Sequence, residues 1–345
     1  MTPVVTFSKF IKEFPNIKSK SKELAKKILP LYASPKLAEI IAAILTDGHI
    51  DWYTSDDRPR PRKTLLYSDV KEECKWFLKT CKDIFGINGE AQKYHSTTGY
   101  SEGDSYRAVI HNATLARTLI LAGAPAGDKT KVGYLIPKWI LAGSQEIKKD
   151  FLRILYNFDG CKPYKRRNTW TIHYSLTTSK PTLKIAMTFI NQLRKLLTEF
   201  DIRISKSPTQ YLNKGKIVLI FSISSRESIT NFYRNIEFLN PEKQRRLEFA
   251  VRDLSKFARI SLPKSLKILQ KFKDKIGTDK KAVKYVNEIL RTNYTYRQFE
   301  HFRRNETKVP ILILSVVEET LKKKIKIPEW ARFLIQNFVN VYSCH

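Results

Sequence analysis

Two apolar stretches of helical length, far apart in the chain, each stop at Asp-Gly. Leu37 to His49 reads LAEIIAAILTDGH, and Phe151 to Cys161 reads FLRILYNFDGC. Glycine is the residue best suited to the left-handed position just past a helix end. Gly48 and Gly160 are therefore expected to terminate two helices in that conformation. Asp47 and Asp159 then stand at the helix C-termini, where partial negative charge favours cations rather than carboxylates. Two such carboxylates, each ending an apolar helix, point to a shared cation.

Aligned on a nine-letter signature, the first copy is Ile40-Ile41-Ala42-Ala43-Ile44-Leu45-Thr46-Asp47-Gly48. The second is Leu152-Arg153-Ile154-Leu155-Tyr156-Asn157-Phe158-Asp159-Gly160. These residues resemble the LAGLIDADG, or dodecapeptide, homing endonucleases in their two-motif form. Ala42 and Thr46 keep that family's small third and seventh positions, whereas Ile154 and Phe158 do not. The resemblance runs from Leu37 to about Asn240. It implies an α+β fold of two pseudo-symmetric αββαββα halves, with antiparallel saddle sheets meeting at the paired helices. It also implies that Asp47 and Asp159, with backbone carbonyls at Gly48 and Gly160, hold Mg²⁺ (or Mn²⁺ in its place) for cutting double-stranded DNA. A basic residue in each half assists in that family, and Lys63, Lys180 and Lys216 are candidates by location.

The residues between the motifs repeat one layout. After each Asp-Gly come two strand patterns, a helix, two more strand patterns and a helix. Phe-Gly-Ile at 85–87 matches Phe-Asp-Ile at 200–202. Trp170, Ile172 and Tyr174 alternate with Thr171, His173 and Ser175, as a half-exposed strand requires. The expected divisions are a basic N-terminal region over 1–36, a first half over 37–124, a second over 125–240 and a helical region over 241–345. Residues 1–36 fit either an arm on the DNA backbone or a packed N-terminal helix.

The formal charge is +30, from 63 Lys and Arg against 33 Asp and Glu. Such an excess is a binding field for a polyanion. Duplex DNA is the expected partner, and an anionic membrane surface the alternative. Basic clusters follow each motif: Arg58, Arg60, Arg62 and Lys63, then Lys162, Lys165, Arg166 and Arg167. As loops they suit phosphate contacts, while strand residues such as Arg107 suit base readout. In the C-terminal region two helix patterns and a short break precede Thr295 to Arg304. That pattern resembles a helix-turn-helix unit with Tyr296, Arg297, Arg303 and Arg304 outward.

Cys74, Cys81, Cys161 and Cys344 lack paired metal spacing, so a reducing intracellular setting is expected. The N-terminus shows no apolar secretion core, and no apolar run reaches the length of a membrane span. Inteins often carry this endonuclease, but Met-Thr and Ser-Cys-His at the two ends do not match splicing junctions. The expectation is a free-standing, intron-encoded, monomeric enzyme with no obligate protein partner. The alternatives are an RNA maturase and a DNA-binding regulator that no longer cuts.

Overall fold

A computed structural model describes residues 2–53, 60–95, 104–263 and 266–338. The helix α1 spans Pro35–Leu45. Ser34 caps it by accepting the Leu37 amide at 3.2 Å, and Pro35 takes the first position, where its missing N–H costs nothing. The second motif helix, labelled α4 below, spans Gln145–Asp159 and is capped by Ser144. The two pack against each other at the centre of the fold. Their facing side chains are buried, including Ile40, Ala43 and Ile44 of one and Phe151, Ile154 and Leu155 of the other. An ion pair from Glu39 to Arg153 links the helices at a buried edge.

Each motif helix leads into one antiparallel sheet. In the first half β1 (Gly48–Tyr53), β2 (Arg60–Ser68), α2 (Lys71–Phe85), β3 (Glu90–His95), β4 (Asp104–Ile110) and α3 (Ala113–Leu121) follow in order. In the second, after α4, come β5 (Tyr164–Arg166), β6 (Thr169–Thr178), α5 (Leu183–Thr198), β7 (Thr209–Asn213), β8 (Lys216–Ile223) and α6 (Arg226–Asn235). The sheet orders are β1-β2-β4-β3 and β5-β6-β8-β7, the same topology twice. The class is α+β, with two similar antiparallel sheets meeting at paired helices.

Alternation gives each sheet two unlike faces. Ile50, Leu66, Ala108 and Ile110 point into one core, and Trp170, Ile172, Tyr174, Leu219 and Phe221 into the other. The opposite face of the first sheet carries His49, Asp51, Lys63, Tyr67, Arg107, Gln92 and Tyr94, all half-buried. That of the second carries His173, Ser175, Thr177 and Tyr211. The polar stretch before Thr64 is strand rather than loop from Arg60 onward. Pro61 is tolerated there because β4 pairs with β2 only from Thr64 to Ser68, leaving the start of β2 without a ladder to break on that side.

Residues 2–30 do not extend as an arm. Helices Phe7–Glu13 and Ser19–Ile28 pack on α3, burying Phe10 and Ala25. After the second half, α7 (Pro241–Phe257) runs back along the β5–β6 hairpin. Beyond it α8 (Ile268–Ile276), α9 (Asp279–Leu290) and α10 (Tyr296–Arg303) form a mutually packed trio. Phe272, Val286, Phe299 and Phe302 are among their buried residues. Arg291 turns the chain between α9 and α10 at φ 51°, and Thr295 with Gln298 forms a capping box on α10. Two further helices, α11 (Ile311–Leu321) and α12 (Glu329–Phe338), complete the described chain. Among the described residues no helix is long and apolar enough to cross a membrane.

Candidate active site

The glycines after the motif aspartates serve a different purpose from the expected one. Neither Gly48 nor Gly160 has a positive φ, and Gly160 is extended at φ −82°. What excludes a side chain is close approach. A Cβ on Gly48 would stand 2.6 Å from Ile44 Cα and 2.7 Å from the Ala43 carbonyl oxygen. One on Gly160 would meet the Tyr156 carbonyl. The chain turns back over the last helical turn so tightly that only glycine passes.

Asp159 is half-buried and accepts the Tyr174 hydroxyl on Oδ2 at 3.0 Å. Loss of hydration, and next the nearby Asp47 charge, push its carboxyl up to about 7. Asp47 keeps a solvent-exposed edge. Its pKa too is raised, chiefly because surrounding protein displaces water, with Lys129 and Lys243 opposing the shift. Each carboxylate thus raises the cost of charging the other, and a cation between them would lower it.

Two ammonium groups supply part of that charge. Lys129 begins a short helical turn over 129–132 between the halves. Its Nζ donates to the carbonyl oxygens of Ile44 at 3.2 Å, Leu45 at 3.3 Å and Gly48 at 2.9 Å, and to that of Thr46. It thereby caps the C-terminus of α1. Lys243, on the first turn of α7, does the same for α4. Its Nζ donates to the carbonyl oxygens of Asn157 and Gly160, both at 2.6 Å. Burial lowers the pKa of each lysine; Asp159 and Asp47 oppose this at Lys129, and Glu73 first, then Asp47 and more weakly Asp159, oppose it at Lys243. Two carboxylates and two ammonium groups thus form one cluster, with one of each charge at each motif helix. Lys129 also acts on His49, so the cluster adjoins the polar face of the first sheet.

The oxygens open to a cation are those of the two carboxylates; the Gly48 and Gly160 carbonyls, expected as ligands, instead accept from Lys129 and Lys243. Among the described residues no group of three or more His, Cys, Asp or Glu side chains is gathered for a metal. Two carboxylates fit a hard divalent cation that keeps several waters.

The remaining predicted residues are dispersed. Lys63 pairs with Asp51 across β1 and β2 at 3.3 Å. Lys180 is exposed in the turn before α5, and Lys216 acts on Asp128. The strongest cationic effects on the two carboxylates come instead from Lys129 and Lys243. Arg60 and Arg62 are exposed on β2, while Arg58 lies outside the described residues. Arg107 lies on the polar face, donating to Gln92 Oε1 at 2.9 Å and covering the Tyr94 ring. Arg166 and Arg167 are exposed at the β5–β6 turn. Lys162 and Lys165 are not simple surface cations: Glu242 and Asp253 of α7 pair with them. In the C-terminal trio Tyr296, Arg297 and Arg304 are exposed, and Arg304 pairs with Glu300. Arg303 points inward. It binds Asp279 through two contacts at 3.1 and 3.0 Å, and Gln270 at 2.7 Å, which ties α8, α9 and α10 together.

Lys129 and Lys243 were not legible as site residues. Each reaches its partner carbonyls across more than eighty residues of chain, and lysine is abundant throughout. The nearest signal is local: each sits at the start of a side-chain-capped turn, after Asp128 and Asn240.

No family model matches the chain. It is 24% identical to a tRNA-splicing ligase RtcB of Pyrococcus furiosus, over 99% of this chain but 38% of that protein. It is 29% identical to a replication factor C small subunit of Methanocaldococcus jannaschii, over 55% of this chain and 10% of that one. The chain therefore spans well under half the length of these relatives. Among solved structures it resembles the homing endonuclease I-WcaI bound to its DNA recognition sequence. That likeness has a TM-score of 0.41 and 14% identity, over 70% of this chain and 96% of that one, and the score is too low to bear on function.

Proposed function

We propose that this protein is a metal-dependent DNA endonuclease of the homing type. It would cut both strands of a long, asymmetric duplex target as a monomer. The observation that carries this reading is the cluster of Asp47, Asp159, Lys129 and Lys243 at the ends of the paired helices. The halves have the same topology but different side chains, so the target need not be palindromic. The relatives add a second line of support. One segment is shared with a ligase and a replication factor whose names have nothing in common, and it forms a minor part of each. A sequence that recurs inside unrelated proteins behaves as a travelling insert, as the gene of a homing nuclease does.

Asp47 and Asp159 would hold a divalent cation, Mg²⁺ with Mn²⁺ as a substitute, through their carboxylate oxygens, because the Gly48 and Gly160 carbonyls are taken by Lys129 and Lys243. Such an ion relieves phosphate charge and makes a bound water a stronger nucleophile. Tyr174 orients the Asp159 carboxylate by donating to Oδ2. Lys129 and Lys243, their Nζ donating to the helix-end carbonyls, would offset the negative charge that the two carboxylates present to the scissile phosphate. Arg60, Arg62, Arg107, Arg166 and Arg167 hold the duplex along the two polar faces. The exposed Tyr296, Arg297 and Arg304 on α10 would extend the footprint as a helix-turn-helix unit.

Incubating the protein with a random duplex library and Mg²⁺, then sequencing cut ends, tests the reading. A single recurrent cut site supports it. No cutting, together with rescue of splicing of a structured RNA, would favour the maturase reading instead.

A further inference from the structure

The cluster depends on a residue outside both repeated halves, because Lys243 belongs to α7. What holds it there is a closed set of hydrogen bonds around Glu73, a buried carboxylate on α2. Glu73 Oε1 accepts Asn157 Nδ2 at 2.9 Å and Asn240 Nδ2 at 3.2 Å. Its Oε2 accepts the Ser68 hydroxyl at 2.5 Å. The Asn240 amide donates to Asn157 Oδ1 at 2.7 Å. Asn240 Oδ1 in turn caps α7, accepting the amides of Glu242 at 3.0 Å and Lys243 at 3.2 Å. Lys243 then closes the circuit on the Asn157 and Gly160 carbonyls.

The circuit joins three separate parts of the chain: α2 of the first half, the second motif helix, and the first turn of α7. Asparagine is suited to position 240 because it must accept on one atom and donate on the other. Aspartate would cap equally well but would turn an oxygen toward the Glu73 carboxylate.

We infer that Asn240, held by Glu73 and Asn157, is the positioning residue that seats Lys243 on the last carbonyls of the second motif helix, so that the cutting centre is complete only while α7 is docked. This rests on the nuclease reading for its consequence, although the clasp itself does not. The C-terminal helices begin where α7 ends, so whatever displaces or steadies them acts on the cutting centre through this turn.

The test uses the full chain with Asn240→Asp, Lys243→Met and the double variant. Asn240→Ser, which keeps a capping oxygen and removes the Nδ2 arm that reaches Glu73, stands in if Asn240→Asp fails to fold. The first readout is acylation of lysine amines, mapped by mass spectrometry, with Lys129 as internal reference. The second is single-turnover cutting beside DNA affinity. Asn240→Asp should raise labelling of Lys243 relative to Lys129 several-fold. It should slow cutting by at least about tenfold, the scale of an ångström-sized misplacement, while affinity is unchanged. The double variant should cut no more slowly than Lys243→Met alone, because Asn240 acts through Lys243. Unchanged labelling of Lys243, or losses that simply add, would overturn the inference and leave the nuclease reading intact. If labelling responds but the parent cuts no DNA, the nuclease reading fails, and with it the catalytic consequence drawn here.

Discussion

Lys243 Nζ donates to the Gly160 carbonyl oxygen at 2.6 Å, closing the C-terminus of the second motif helix from an element outside both repeats. Lys129 closes the first in the same way, at 2.9 Å from the Gly48 carbonyl. A carboxylate at a helix C-terminus is disfavoured by the dipole, and each lysine offsets part of that cost beside the aspartate that incurs it.

Replacing either lysine by methionine keeps most of the packed stem and removes the charge. Lys129→Met and Lys243→Met should each slow cutting by about 10²-fold, the scale of losing one preorganised positive charge beside a developing negative one. Each should also cost about 1 kcal/mol of stability through the uncapped carbonyls. Single-turnover rates and thermal melts check both effects. Full activity in either variant would remove that lysine from the chemistry.

The raised Asp159 pKa makes stability depend on pH in a defined direction. The folded protein holds a proton on Asp159 up to about 7, whereas the unfolded chain releases it near the ordinary 3.8. Between those values the folded state binds more protons, so this group's contribution to stability falls as pH rises. Asp159→Asn removes that loss. Its melting temperature, measured in a chelator, should exceed that of the parent by an amount that grows from pH 4 toward pH 7 and then levels. Added divalent cation should narrow the gap by stabilising the parent alone. A constant difference across pH would contradict the assignment.

Much of this architecture was legible because it rests on periodicity. Alternation at Trp170, Ile172 and Tyr174, and the two apolar helices ending at Asp-Gly, required nothing beyond neighbours in the chain. The glycines were read for the wrong reason. A glycine after a helix is compatible with a left-handed cap or with close approach, and sequence does not separate them. At Gly48 and Gly160 close approach is the cause. Lys129, Lys243 and Arg303 were beyond reach because their roles come from contacts between distant segments. On a basic helix Arg303 reads as an outward DNA contact, whereas Asp279 and Gln270 hold its guanidinium inward.

That difference between neighbours gives a prediction within the C-terminal trio. Arg303→Ala should destabilise α8 to α10 by about 2 kcal/mol, as loss of charge-assisted hydrogen bonds does. Arg297→Ala, on an exposed residue, should leave the melt unchanged and weaken DNA binding. Thermal melts and footprint length separate the two outcomes. An equal loss of stability in both would set aside the outward role of Arg297.

Charge sets a further expectation. With a formal +30, log affinity for duplex DNA should fall linearly with log salt, at about 0.9 per phosphate neutralised. Removing one phosphate-contacting arginine, Arg166 or Arg167, should lower the slope by about one. Titrations at several salt concentrations check this, and a flat response would contradict the polar faces as phosphate-binding surfaces.

The most direct test of the paired-carboxylate centre is cleavage of the target site, found by library selection, by Asp47→Asn and Asp159→Asn in Mg²⁺. Asparagine keeps the shape and removes the charge that holds the ion. Each variant should lose double-strand cutting while retaining DNA affinity and at least the parent's thermal stability. Cutting at the parental rate by either variant would contradict the account.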